Sequence, residues 1–251
     1  MLTHPTMEKL NTLKLTGMVK ALTEQQQMAE VDSLGFEERL GLLVDREATE
    51  RENRKLATRL KKAKLRQSAS VEDIDFRRTR GMDKALILSL AACTWIAKGV
   101  NVLICGPTGV GKSYLACALA HKACLEGYTA LHLRLPRLFE ELRLAKADGR
   151  YGKLMLGYAK TDLLVLDDWG LTSMTDPQRR DLLELMEDRY GLKSTIITSQ
   201  LPVTAWHEAI GDPTMADAIL DRIVHNAHKI EMKGESMRKS RKTLTKVDHL
   251  T

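Results

Sequence analysis

The chain has 251 residues, 43% hydrophobic and 29% charged, with a formal net charge of +6 and a pI of about 9.1. That suits one large domain, or an ordinary domain with a smaller appendage, and it leaves enough apolar content for a normal core. No apolar run reaches the length of a membrane span, residues 1–5 lack the apolar stretch of a secretory signal, and the four cysteines form no CxxC pair, so the expectation is a cytoplasmic chain with reduced core thiols, no membrane and no zinc.

Residues 1–68 read as entirely helical. Leu10, Leu13, Leu15, Met18, Val19 and Leu22 recur at helical spacing, and a turn falls near residues 32–35. Ser33 is an imperfect capping signal for a longer helix opened by Phe36, Leu40, Leu43 and Val44 and reaching about Leu65. Its later part carries Arg51, Arg54, Lys55, Arg59, Lys61, Lys62, Lys64 and Arg66, with Glu50 and Glu52 the only acids in that stretch. A solvated face is the ordinary reading of such a run. Here the cations wrap more than one face and lack acidic partners four residues on, which favours contact with nucleic acid. Residues 67–70 read as a linker, dividing the chain into a helical DNA-binding or oligomerisation domain at 1–68 and a second domain at 69–251. Arg77, Arg78 and Arg80 add a second basic cluster. Together with Arg54, Arg59, Lys61, Lys62, Lys64 and Arg66 they are the candidate nucleic-acid contacts.

In the second domain a helix is predicted over 82–98, then a strand over 100–105. Helices over 114–123, 138–147, 178–190 and 215–226 then alternate with strands over 129–133, 163–167, 194–199 and 228–232. This βαβ succession implies an α/β fold with a five-stranded parallel sheet covered on both faces.

Between the first strand and its helix lie Gly106, Pro107, Thr108, Gly109, Val110, Gly111, Lys112 and Ser113, which fit the phosphate-loop pattern G-x-x-x-x-G-K-[ST]. The glycines let the backbone curl so that N–H groups face a phosphate, and the helix N-terminus opening at Tyr114 adds partial positive charge. Lys112 can reach the β- and γ-phosphates of ATP, and the Ser113 hydroxyl can ligand Mg²⁺. The strand over 163–167 ends in Asp167 and Asp168, the Walker B pattern. In a parallel sheet Asp167 would fall beside the phosphate loop and hold Mg²⁺, with Asp168 orienting the attacking water. The strand over 194–199 is expected between these two strands in space. A polar residue at its end would sit between the γ-phosphate and the water, with Ser199 the first choice and Thr198 the second. No histidine shows metal-ligand spacing.

Gly106 to Ser113, the 163–170 and 195–202 segments and Leu220-Asp221-Arg222-Ile223 together resemble the AAA+ ATPases. Gly234-Glu235-Ser236-Met237-Arg238, the segment around Trp206, Phe36-Glu37-Glu38-Arg39-Leu40 and Ala63-Lys64-Leu65-Arg66 narrow the resemblance to the helicase-loader and IstB-like branch, which includes transposition helpers of bacterial insertion sequences. The resemblance covers nearly the whole chain. It implies that Arg222 reaches into a neighbouring subunit's site and completes catalysis there, so that the protein works as a homo-oligomer. It gives Arg238 the place of a second phosphate sensor. It implies an ATPase, slow and dependent on oligomer or DNA, that assembles on double-stranded DNA and presents a platform to a cognate transposase. The alternative within the same fold is a replicative helicase loader acting on single-stranded DNA. Two departures from the family pattern stand out: Asp-Asp replaces the usual Asp-Glu at Walker B, and the residues after the fifth strand leave no room for the usual four-helix lid.

Overall fold

The computed structural model describes residues 5–28, 33–77 and 80–237. Two compact units divide the chain at Met1–Thr58 and Arg59–Thr251. The predicted join after residue 68 falls inside the second unit, because the end of the long helix is part of that unit. Arg59 Nη1 donates to the Gly127 carbonyl at 3.1 Å, and Ala63 is fully buried.

The first unit contains α1 (Pro5–Thr12), α2 (Thr16–Gln27) and most of α3 (Phe36–Ala63). The predicted run through Leu10 and Leu22 is two helices, broken where Lys14 adopts the left-handed conformation at φ +58°. No side chain of its own caps α2. Glu47 of α3 does so instead, accepting from Gly17 N at 2.6 Å and Met18 N at 3.3 Å. A side chain at Gly17 would collide with the α3 backbone at Arg46 and Glu47, so glycine permits this close approach.

In the second unit α4 (Lys84–Ala91) and α5 (Thr94–Ala97) replace the single predicted helix over 82–98. Cys93, at φ +58°, breaks it. The sheet follows: β1 (Asn101–Cys105), β2 (Ala130–Arg134), β3 (Leu163–Trp169), β4 (Ser194–Ser199) and β5 (Ala227–Glu231). All strands are parallel in the order β2-β3-β4-β1-β5, so β4 does lie between β1 and β3. The crossovers use α6 (Lys112–Leu125), α7 (Leu135–Ala147), α8 (Tyr151–Lys160), α9 (Asp176–Arg189), α10 (Trp206–Ile210) and α11 (Pro213–Val224). The predicted pattern lacks α8, whose buried Met155 and Tyr158 join the core on that side.

β1 is buried at every position, as a central parallel strand must be. Asp181 is not part of a solvated acidic face: it is buried, with Lys146 Nζ at 2.5 Å and the Tyr151 hydroxyl at 3.0 Å. The four cysteines are buried and unpaired with one another. Burial pushes the Cys93 and Cys105 thiols up to about 11, which suppresses thiolate chemistry.

Candidate nucleotide site

β1 delivers the chain into the phosphate loop at Gly106, and α6 leaves it at Lys112. Gly109 holds φ +87°, and a side chain there would strike Ser236. The loop is crossed from outside by residues 232–237: Met232 N donates to Cys105 O at 2.7 Å and Met237 N to Gly109 O at 2.9 Å. Gly111 caps α6 at φ +110° without any side-chain hydrogen bond, leaving first-turn N–H groups available to an anion. Lys112 Nζ folds onto the Gly106 and Pro107 carbonyls at 2.7 and 2.9 Å, so the cation stands over the loop. The cleft above it measures about 1100 Å³, roomy enough for a nucleoside triphosphate.

Asp167, at the end of β3, is 1% exposed. Its Oδ1 accepts from Ser113 Oγ at 2.9 Å and from Thr198 Oγ1. Its Oδ2 accepts from Ser113 at 3.1 Å and from Arg66 Nη1 at 3.2 Å. His132 Nε2 faces the same oxygen from 3.5 Å without a hydrogen-bond partner. Burial alone would raise the Asp167 pKa, but His132, Thr198 and Ser113 outweigh it and hold the carboxyl well below the usual carboxylate range. The ionised Asp167 and the Ser113 hydroxyl are hard oxygen donors side by side, a set that fits Mg²⁺.

Asp168 sits in the left-handed region at φ +66°, where the β3–β4 register shifts between Leu166 and Trp169. Aspartate tolerates that conformation better than most residues. The shift turns its side chain into the cleft, where Oδ2 accepts from Arg134 Nε at 2.6 Å.

The order of preference between the two β4 hydroxyls reverses. Ser199 Oγ donates to the Trp169 carbonyl at 2.9 Å and accepts from Leu201 N at 3.0 Å, which spends it on holding the turn. Thr198 is the hydroxyl that faces Asp167, and it also lies 3.4 Å from Asp168 N.

Arg222 stands apart from this cleft. Its carbonyl accepts from Asn101 Nδ2 at 3.3 Å, at the start of β1 and so at the far end of the strand from the phosphate loop. Its Nη2 pairs with Glu187 at 2.6 Å and its Nη1 lies 3.5 Å from Asp221. Arg222 does not line the cleft, and its side chain keeps 27% exposure at the opposite end of the sheet.

The basic candidates separate into groups. Lys61, Lys62 and Lys64 are exposed and make no ion pair among the described residues. Arg77 is exposed beside Asp75 at 3.0 Å. Arg51 and Arg54 do have an acid partner, Glu47, at 2.7 and 3.3 Å, and Lys55 has Glu52 at 2.7 Å. Arg66 and Arg80 line the cleft rather than an outer face. Arg80 Nη2 donates to Asp75 O at 2.6 Å. Arg78 and Arg238 lie outside the described residues, as do residues 238–251 where a lid would have to begin.

Arg134 was not singled out from the sequence, and His132, expected at the surface or near DNA as a histidine without metal-ligand spacing, is instead buried. Both belong to β2, and the register sets Arg134 opposite Asp167 and His132 opposite Val165. The signal was available: β2 neighbours the Walker B strand in this topology, so polar residues near its end reach the same cleft.

The IstB-like ATP-binding protein model matches residues 8–245. The chain belongs to that family. Among relatives of this IstB-like chain, an insertion sequence ATP-binding protein of Sinorhizobium fredii, y4pL, is 56% identical over 242 residues, 96% of this chain and 99% of its own. The insertion sequence IS1162 ATP-binding protein of Pseudomonas fluorescens is 51% identical, covering 80% of this chain and 88% of its own. Among solved structures, the DnaC helicase loader superposes with a TM-score of 0.56 at 22% identity, covering 66% of this chain and 97% of that one. The replication initiator DnaA, bound to AMPPCP and single-stranded DNA, gives 0.59 at 16% identity over 75% and 58%. These likenesses show that the IstB-like chain shares the α/β fold of those proteins. No helix among the described residues is long and apolar enough to cross a membrane.

Proposed function

We propose that this chain binds and hydrolyses ATP as a helper of insertion-sequence transposition, assembling as an oligomer on duplex DNA and engaging a transposase. One observation carries the nucleotide part: the uncapped α6 N-terminus, Lys112 and the Ser113–Asp167–Thr198 cluster meet in one cleft. The insertion-sequence relatives, aligned over nearly the full chain, support the transposition part.

The loop N–H groups and the Lys112 ammonium would bind the triphosphate, with Lys112 exchanging the Gly106 and Pro107 carbonyls for phosphate oxygens. Ser113 and Asp167 would hold Mg²⁺, which neutralises charge on the β- and γ-phosphates. Asp168 would accept a hydrogen bond from the attacking water once Arg134 yields its carboxylate. Thr198 would hold Asp167 in register with the γ-phosphate. Arg222, freed from Glu187, would supply charge to an adjoining copy's γ-phosphate. Lys61, Lys62, Lys64 and Arg77 would meet DNA phosphates without reading sequence.

The test is imaging and binding of the full chain on duplex and on single-stranded DNA, with and without a non-hydrolysable ATP analogue. ATP-dependent assemblies on duplex support the reading. Preference for single strands points to a helicase-loader role. Nucleotide binding unaffected by Lys112→Ala overturns the ATP assignment.

A further inference from the structure

Arg66 has a place that a nucleic-acid contact does not explain. α3 ends at Ala63, and Lys64 breaks it in the left-handed conformation at φ +49°. A lysine is a costly choice there, since glycine is the usual residue past a helix end. The turn sends the next residues across α6, where the backbone N–H groups of Arg66 and Gln67 face the Cys117 sulfur. Two residues beyond the turn, the Arg66 guanidinium arrives at the Walker B carboxylate, 3.2 Å from Asp167 Oδ2.

The two oxygens of Asp167 are served differently. Oδ1 takes hydroxyl donors from Thr198 and Ser113, the Ser113 hydroxyl being shared with Oδ2 at 3.1 Å. Oδ2 takes the one cation hydrogen-bonded to this carboxylate among the described residues, Arg66. The carboxylate is 1% exposed, whereas the Arg66 side chain is 44% exposed. The anion is therefore fixed, and the cation can leave.

We infer that Arg66 competes with Mg²⁺ for Asp167, so that loading of Mg²⁺·nucleotide releases the segment that follows the basic helix. This rests on reading the cleft as a Mg²⁺·ATP site. A divalent cation held through Asp167 and Ser113 puts two positive charges where the guanidinium already stands, and like charges at that range repel. Arg66 must swing outward for the metal to settle. Arg66 is three residues from the end of α3, so its contact with Asp167 is one of the ties that hold the turn following Lys61, Lys62 and Lys64. The nucleotide state is thereby tied to the residues best placed to touch DNA.

The experiment is a Mg²⁺ titration of fluorescent ATP-analogue binding by the purified full chain, comparing wild type with Arg66→Gln, Arg66→Ala, Arg66→Lys and Lys112→Ala. Removing the competing charge lowers the Mg²⁺ midpoint in the Gln and Ala variants by about two- to five-fold, the scale of a partly exposed ion pair. Arg66→Lys keeps the midpoint near wild type. Binding without Mg²⁺ does not tighten in any variant, and thermal unfolding confirms that each is folded. A midpoint that stays in place or rises in both neutral variants overturns the inference. Should Lys112→Ala bind nucleotide like wild type, the ATP reading itself fails. Should it lose nucleotide while the Arg66 variants leave the midpoint unchanged, only the role given to Arg66 fails.

Discussion

The two ends of the parallel sheet treat buried polar groups in opposite ways. At the N-terminal end, Asn101 accepts from Thr195 N at 2.9 Å and donates to the Ile223 and Arg222 carbonyls at 3.2 and 3.3 Å. Nearby, the buried Arg189 donates to the Tyr158 and Thr161 carbonyls at 2.7 Å each, to Ser194 O and to Thr195 Oγ1. Burial lowers its pKa to about 9, so the guanidinium still stays charged at neutral pH. Apart from the Thr195 hydroxyl, these partners are backbone groups fixed by the fold. At the C-terminal end, the polar side chains hold chiefly one another: Ser113, Thr198 and Arg66 on Asp167, and Arg134 on Asp168. Such pairs can be exchanged for a ligand without unmaking a strand. One end is a permanent brace, and the other is a set of replaceable contacts.

The comparison predicts stability losses at the brace and functional losses at the cleft. Arg189→Met leaves several carbonyls buried without a donor, costing about 3 kcal/mol or more, at about 1–3 kcal/mol for each orphaned group. Calorimetry then shows Tm lowered by about 6–12 °C, since about 2–4 °C accompanies each kcal/mol in a domain of this size. Unchanged melting breaks the brace half of the contrast. Lys112→Ala weakens nucleotide binding by about ten- to a hundredfold, the value of a charge-assisted hydrogen bond of about 1.5–3 kcal/mol, with little change in Tm. Thr198→Ala reduces ATP turnover by about tenfold with nucleotide affinity kept, whereas Ser199→Ala lowers stability by about 1 kcal/mol and leaves turnover close to wild type. The reverse result would restore Ser199 as the functional hydroxyl.

Two smaller effects sharpen the same contrast. The Asp167 carboxyl is held below its ordinary 3.8, so the ionised form contributes stability above that value and loses it as pH falls through the lowered folded-state pKa. The stability difference between wild type and Asp167→Asn therefore stays level from about pH 8 to about pH 5 and shrinks below about pH 4, as urea unfolding across pH can show. For DNA, affinity falls steeply with salt, and each of Lys61→Ala, Lys62→Ala and Lys64→Ala reduces the log–log salt slope by about 0.9 for duplex. A flat response removes the phosphate-contact role of these residues.

Much of the cleft was legible because its motifs combine local backbone geometry with chemistry. The 106–113 pattern can do little except curl around a phosphate, and the strand-end acid at Asp167 has a fixed place in a parallel sheet. The insertion of β4 between β1 and β3 followed from the same logic and stands. Other features depend on events that no spacing encodes. Thr198 and Ser199 are adjacent hydroxyls on one strand, and the irregularity between Leu166 and Trp169 helps decide which one meets Asp167. Arg66 and Arg80 look like members of a charge run until the turn at Lys64 and the contact with Asp75 bring them inward. The cations of the long helix were expected to lack acid partners four residues on, yet Glu47, just ahead of the basic run, supplies one. It accepts from α2 and pairs with Arg51 and Arg54 at once.

The left-handed residue at the end of β3 also bears on the chemistry of the second acid. With φ at +66°, the backbone rather than side-chain length aims the Asp168 carboxylate into the cleft. Lengthening the side chain to glutamate would overshoot that aim and put a residue less tolerant of this conformation at a strained hinge. A designer wishing to install the commoner Asp-Glu pair would have to re-bend the strand first. The shorter acid is here a geometric counterpart of its own kinked support.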